Sequence, residues 1–442
     1  MSELNTILYL VANIFSQATE FFTQMMMFVP MYLAYEMPLF VLITLGVLKW
    51  RRANAKLLKK PSHYFPKVSC IITCYAEGDA VKTTIESLVE QTYPGEVEII
   101  AVVDGAVQNK HTYAVANSCM KNIKRAKRHI RVLPKWQRGG RVSTLNAGLD
   151  AAKGDIVVNV DADTSFDNDM LCRIVRLFED PNVPAVGGAL RVRNVTSSIW
   201  TRMQAIEYLV SMQGGKTGLA QWNLINNISG AFGAFRKDFL KQIGGWDTHT
   251  AEDLDLTIRI KQYFKRHPNL KIPYATLAIG HTDAPDDFKT LLWQRLRWDG
   301  DLLFLYFRKH WPAFSPKLLG WKSFLFTLLY GFLQNVMLPF VVLVYLIVTM
   351  IIYPWQFIVS LSLVIFTLYF FTIAYFYALV LLGVSERPKQ DLKLAVWLPL
   401  YPIYSMIMRT ICCFALLNEL VRRSHEESSM APWWVLKKGQ KF

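Results

Sequence analysis

Predominantly apolar blocks long enough to cross a bilayer stand toward both ends of this 442-residue chain, and none lies between about Lys60 and Arg308. A helix needs about 20 apolar residues to cross roughly 30 Å of hydrocarbon, and the densely charged centre cannot supply them. A single small soluble domain and a wholly embedded bundle are both excluded, which leaves a soluble domain framed by membrane segments. The 49 Lys+Arg against 34 Asp+Glu fit that division. Much of the excess flanks apolar segments, as in Lys49-Trp50-Arg51-Arg52 and Arg422-Arg423, where positive residues mark the cytoplasmic side. A nucleic-acid partner would require clustered Lys/Arg with exposed aromatics in a binding module; no such cluster stands out, so none is expected. Cys70, Cys74, Cys119 and Cys172 lack zinc-site or disulfide-framework spacing and are expected as buried thiols in a reducing cytosol. No cleavable signal peptide is expected.

The stretch from about Asn5 to Val29 is interrupted by Asn13, Gln17, Glu20 and Gln24, and it suits a packed crossing and a surface helix equally. Phe28 to Leu48 predicts a spanning helix kinked at Pro30 and Pro38. Beyond Arg308, Phe324 to Ile352 and Phe357 to Leu382 are long enough to span. Leu394 to Leu417 holds Pro399, Pro402 and Arg409, so a re-entrant or interfacial helix competes there with a full crossing. Three crossings would place Arg422, Arg423, Lys437 and Lys438 outside, against the positive-inside tendency, and a cytosolic tail is expected.

Within the charged centre, Val68 to Thr73, a helix from about Asp79 to Gln91, Val97 to Val103 and Asp155 to Val160 alternate. Strand, helix, strand order of this kind predicts an α/β, mostly parallel sheet with helices on both faces. Ligands of such sheets bind beyond the carboxyl ends of the strands. Those ends are Cys74-Tyr75-Ala76-Glu77, Asp104-Gly105 and Asp161-Ala162-Asp163, so acid and aromatic side chains share one rim.

Asp161 and Asp163 offer paired hard oxygens suited to Mg²⁺ or Mn²⁺ carrying a diphosphate, although an Asp at a strand end is also a common turn former. Tyr75, Glu77 and Asp104 could give a nucleobase an aromatic face and hydrogen-bonding acids; each alone could equally be a loop residue. Glu252 and Asp253 open an amphipathic helix running to about Phe264. There they either favour the helix dipole or supply a general base to a hydroxyl nucleophile. In Gln294-Arg295-Leu296-Arg297-Trp298, helical spacing puts Gln294, Arg297 and Trp298 on one face. Arg suits phosphate and Trp the apolar face of a sugar, and the same pattern fits an interfacial helix with belt Trp.

Taken in order, Tyr75-Ala76-Glu77, Val103-Asp104-Gly105, Gly139-Gly140-Arg141 with Leu145-Asn146-Ala147-Gly148, Asp161-Ala162-Asp163, Glu252-Asp253 and Gln294 to Trp298 resemble the membrane-integrated family 2 glycosyltransferases. That group includes the cellulose, chitin, hyaluronan and poly-N-acetylglucosamine synthases, and chain length and layout bring this sequence nearest the bacterial poly-N-acetylglucosamine synthases. The resemblance implies a Rossmann-like GT-A domain in the cytosol, framed by transmembrane and interfacial helices of the cell inner membrane. It implies a UDP-sugar donor, a growing glycan or lipid acceptor, and room for an accessory membrane subunit or a homo-oligomer. By the same resemblance Tyr75, Glu77, Asp104, Arg141 and Asp161 bind the UDP-sugar, Asp161 and Asp163 hold Mg²⁺ or Mn²⁺, and Asp253 is the base. Glu252, Gln294, Arg297 and Trp298 serve the diphosphate and acceptor, with Ser229 and Gly230 as the small-residue segment beside the sugar.

The implied divisions are 1–59 for N-terminal membrane helices and linker, 60–285 for the catalytic domain, 286–320 for interfacial helices, 321–420 for membrane helices and 421–442 for the tail. Its Trp433-Trp434 pair is either a lid over nucleotide or an interface anchor. Ala76, Arg141, Ala251 and Asp299-Gly300-Asp301 depart from the group's usual Asn, Lys, Thr and small-Gln-Gly. His281 is either a further metal ligand or structural. Export of a β-linked polymer is the expected outcome; single addition to a lipid and nucleotide binding without catalysis are the alternatives.

Overall fold

The computed structural model describes residues 9, 32–57, 62–247 and 251–422. The first apolar stretch apart from Tyr9, the Pro30 position, Arg423 and the Trp433-Trp434 tail lie outside the described residues. Helix α1 (Met37–Leu57) follows a π-helical turn at Tyr32–Glu36. Pro38 is the second residue of α1, directly after that turn, and the widened π turn accommodates the missing N–H and the bulk of the ring, so the irregularity precedes the proline.

The expected strands form as β1 (Val68–Cys74), β2 (Val97–Asp104) and β4 (Ile156–Asp161), with β3 (Arg128–Lys135) outside β2. These four pair in parallel in the order β3-β2-β1-β4. β1 and β2 are buried along their whole length because helices cover both faces of the sheet, which is why they read as mainly apolar runs. Val81, Ile85 and Leu88 of α2 (Ala80–Val89) and Ala116 of α3 (Lys110–Asn122) pack on one face with Cys70 and Ile72. Val142, Leu145 and Leu149 of α4 (Arg141–Ala151) pack with Ile71 on the other.

The other half of the sheet was only partly legible. β7 (Phe232–Arg236) runs antiparallel between β4 and β6 (Ala185–Val192); β8 (Tyr274–Thr282) is parallel to β6, and β5 (Ser165–Phe166) closes the edge. The sheet is therefore mostly parallel with antiparallel insertions at β7 and β5. Small residues disguise these strands because they make room for rings: a Cβ on Gly188 would come 2.1 Å from the Phe232 ring. The reversal of β7 has a functional consequence. Its lead-in, Ser229-Gly230-Ala231, arrives at the rim where β1, β2 and β4 end, and the Asp161 N–H donates to the Ala231 carbonyl at 3.3 Å.

Helix α5 (Ile199–Glu207) leads into a π-helical segment at Tyr208–Gly215. Helix α6 (Glu252–Lys261) follows β7. Helix α7 (Phe288–Leu303), capped by Asp287 accepting from the Thr290 N–H at 2.9 Å, carries the Gln294 to Trp298 sequence. Among the described residues three helices are long and apolar enough to cross a membrane: α8 (Trp321–Ile352), α9 (Trp355–Gly383) and α10 (Pro388–Val421). Pro399 is absorbed by a 3₁₀ stretch at Leu392–Leu400 before the α-helix resumes at Tyr401, so the third block has the length for a full crossing. Arg409 is accommodated by pairing: it lies 2.8 Å from Glu36, which also accepts from the Tyr369 hydroxyl at 2.9 Å. A buried charge in such surroundings needs a partner of this kind. The start of α10 and the loop before it are fastened to the sheet domain by Arg191, at 2.7 Å from both Asp391 and Glu386.

Candidate active site

Each strand end places its residue for a local reason. The β1 turn puts Ala76 in the left-handed region at φ 67°, a conformation that Asn tolerates better than Ala; the backbone there is strained. It brings Glu77 back so that its carboxylate accepts from the Tyr75 N–H. Burial pushes the Glu77 carboxyl up to about 7, with Asp161 and Asp163 adding to the rise. Tyr75 is exposed, and the Arg138 guanidinium lies over its ring at 4.1 Å. Asp104, at the end of β2, is buried and holds the next loop: it accepts from Lys135 Nζ at 2.7 Å and from the Gly139 and Gly140 N–H groups at 2.8 Å. Gly140 has φ 83°, which only glycine takes without penalty. The loop then delivers Arg141 at the first position of α4.

Arg141 is the hub. It lies 2.5 Å from Asp161 Oδ1, 2.5 Å from Glu252 Oε1, and donates to the Gly230 carbonyl at 2.6 Å. Thus the strand-end pair, the α6 acids and the β7 lead-in meet at one guanidinium. Asp163 is raised above the usual carboxylate range by burial and by Asp161.

Asp253 accepts from the Asn227 side chain at 3.1 Å and the Gly230 N–H at 3.2 Å on one oxygen, and from the Leu254 N–H at 2.7 Å on the other. The residue before α6, Ala251, is left-handed at φ 43°, a strain of the sort that concentrates at functional sites. Burial pushes the Glu252 carboxyl up, opposed by Arg141 and reinforced by Asp253. Burial also pulls the Lys216 amine down to about 8 against the attraction of Asp253. Gly230 touches everything: a Cβ there would come 2.9 Å from Glu252 Oε1 and 3.6 Å from both Arg141 and Asp253. Ser229 contributes its carbonyl to the turn, accepting from the Phe232 N–H at 3.2 Å.

Helix α7 works on two faces. Asp301, raised well above the usual range by burial, senses Glu419, Arg297, Glu252 and Asp253, so the Arg297 side faces the α6 acids. Gln294 presents a buried carbonyl oxygen that has no hydrogen-bond partner among the described residues, as expected of a group kept for a ligand. On the other face Arg295 donates to both Glu207 oxygens, at 2.9 and 2.6 Å, and lies over the Trp298 ring at 5.1 Å. This second face closes a cavity of about 250 Å³ lined also by Asp299, Gln334, Asn335 and Arg409. His281 is drawn elsewhere, bonded at 3.0 Å to Asp167, which also binds Arg387 at 2.8 Å.

The model of glycosyl transferase family 2 matches residues 69–244. Over 302 residues, covering 68% of this chain and 69% of the relative, the sequence is 30% identical to a poly-beta-1,6-N-acetyl-D-glucosamine synthase of Staphylococcus epidermidis. The chain belongs to glycosyltransferase family 2. A Staphylococcus aureus protein of the same description is 30% identical over 252 residues, 56% of this chain and 58% of that one. A mannosyltransferase from Pyrobaculum calidifontis, solved with GDP-Man and Mn²⁺, superimposes with a TM-score of 0.52 at 19% identity, covering 87% of this chain and 97% of that one. The fold is GT-A.

In this family 2 chain the donor set for a divalent metal is chemically apt. Asp161 and Asp163 are hard oxygen donors, and burial together with the charge of Asp161 raises Asp163, a conflict that a dication relieves. Among the described residues no group of three or more His, Cys, Asp or Glu side chains converges as a ready metal cage, so a bound metal would lean on substrate oxygens as well. Asn227, Lys216 and Arg138 were missed in the sequence. A lone Lys in a small-residue stretch was the one available signal; Asn227 and Arg138 carry none without the fold.

Proposed function

We propose that this chain is an inverting, processive glycosyltransferase that polymerises a UDP-sugar of the N-acetylglucosamine or glucose class into a β-linked polysaccharide. The reading rests on a single arrangement: Arg141 bridges Asp161 and Glu252 while Asp253 stands beside it under the Gly230 N–H. Residues 60–285 form the catalytic domain on the cytosolic side of the inner membrane, 286–320 the interfacial element, and 321–420 the membrane path for export. The polar lining of the cavity behind α7 favours a route for a hydroxylated chain between helices that are otherwise apolar.

Tyr75, Glu77 and Asp104 flank the uridine. Asp253 takes the proton of the acceptor hydroxyl as that oxygen attacks the anomeric carbon from the side opposite the departing UDP, so an α-linked donor yields a β-linked product. Arg297 and Gln294 stabilise the diphosphate as its bond to the sugar breaks. Arg141 stays charged between two carboxylates and fixes Glu252 beside the acceptor. Trp298 supplies a ring for the acceptor's terminal sugar. Mg²⁺ or Mn²⁺ held by Asp161 and Asp163 would neutralise diphosphate charge.

The test is UDP release by the purified protein against a panel of UDP-sugars with Mg²⁺ or Mn²⁺, followed by sizing of the product. Polymer under excess donor is the expected result. A lone glycolipid would establish single addition instead, and absence of UDP release with every donor and acceptor would overturn the enzymatic reading.

A further inference from the structure

Asp299 follows Trp298 directly but lies four residues from Arg295, on the face of α7 turned to the cavity. The cations on that lining are already committed: Arg295 to Glu207 at 2.6 Å and Arg409 to Glu36 at 2.8 Å. Asp299 makes no ion pair among the described residues, and it shares the cavity with a second carboxylate, Glu207. The groups that face it are Glu207 at the end of α5, Arg295 on its own helix, and Tyr401, Tyr404, Arg409 and Cys412 on α10; α8 adds the non-ionising amides of Gln334 and Asn335. Such surroundings disfavour ionisation: burial, with Glu207 adding and Arg295 opposing, pushes the Asp299 carboxyl up to about 7. A carboxyl held neutral can donate a hydrogen bond, whereas an ionised one only accepts.

Resting on the function proposed above, we propose that Asp299 is a specificity-determining residue of the acceptor path. Its carboxyl meets the saccharide that has left the transfer site and donates a hydrogen bond to an acyl carbonyl or hydroxyl oxygen of that chain. The position suits this role, because one helix separates the cavity from the α6 acids and Trp298 stands between the two faces. The ligand class is an uncharged sugar oligomer rich in acceptor oxygens.

The experiment uses the full chain in detergent with a short β-linked N-acetylhexosamine oligomer as acceptor, comparing Asp299→Asn and Asp299→Leu with the parent at pH 6 and pH 8. The parent's acceptor KM should rise about fivefold from pH 6 to pH 8 as the donor proton is lost. Asp299→Asn, which keeps an N–H donor, should hold the low-pH KM at both values. Asp299→Leu should raise KM about tenfold at both, with UDP affinity and kcat near those of the parent. If Asp299→Asn follows the parent's pH profile, or loses as much as Asp299→Leu, or if Asp299→Leu leaves KM unchanged, the inference fails while the proposed function stands. If the parent releases no UDP with any donor, both fall.

Discussion

Arg141 Nε lies 2.5 Å from Glu252 Oε1 across 111 residues of sequence, and the same guanidinium reaches Asp161 at 2.5 Å. One side chain thus fixes the distance between the strand-end acids and the α6 acids. Removing one partner of a buried pair leaves uncompensated charge and costs about 3–5 kcal/mol. Arg141→Ala should lower thermal stability by that amount and lower kcat by at least about 100-fold. Arg141→Lys, which keeps the charge but not the fork, should recover part of the stability and less of the rate. Thermal unfolding alongside UDP release checks both.

Asp253 is half-exposed and its oxygens are oriented by Asn227, Gly230 and the Leu254 N–H. Asp253→Asn preserves the shape and removes the basicity, so turnover should fall about 10²–10⁴-fold with UDP affinity nearly unchanged. Turnover retained in this variant would exclude Asp253 as the base.

At Gly230 the constraint is space. A methyl group would press on Glu252 Oε1 at 2.9 Å, and the loop must shift away from Asp253. Gly230→Ala should fold normally, bind UDP within about twofold of the parent, and lose about tenfold or more in kcat, since small misplacements of reacting groups are severely felt. Steady-state kinetics that left kcat unchanged would contradict this.

Asp255 anchors α6 from beneath. Burial alone would raise its carboxyl, but His310 at 2.8 Å, Arg259 at 2.9 Å and Lys309 at 2.9 Å outweigh it and hold it far below the usual range. A depressed carboxylate contributes stability that is complete above its unfolded value of about 3.8 and fades as pH falls below that value. Asp255→Asn should therefore be destabilised by about 3–5 kcal/mol at pH 7. The gap to the parent should stay constant down to about pH 5 and narrow below about pH 4 in denaturant titrations.

Local features were legible because each needs only a few neighbouring residues. The short, mainly apolar runs of β1, β2 and β4 announced buried parallel strands, and the acids at their ends announced the rim. The spacing of Gln294, Arg297 and Trp298 was helical in the sequence and is helical in α7. β6 and β7 were not legible, since the β6 glycines Gly187 and Gly188 are there to receive the Tyr274 and Phe232 rings of neighbouring strands, and Gly233 of β7 makes room for Ile228 and Asn159. Pro399 argued against a full-length helix in α10, and the 3₁₀ stretch that accommodates it is invisible until the helix is built.

The sequence by itself determined that a charged α/β domain is followed by apolar segments of membrane-spanning length, and that acids, an arginine and a tryptophan stand at its strand ends and on one helix. Periodicity and composition act over a few residues, so they can establish that much. Only the tertiary structure decided which of those groups share a space. The antiparallel entry of β7 carries Gly230 to the end of β4, a glycine turn aims Arg141 at partners 20 and 111 positions away, and α7 turns Asp299 toward the cavity. Such encounters depend on the path of the whole chain, which no local pattern encodes.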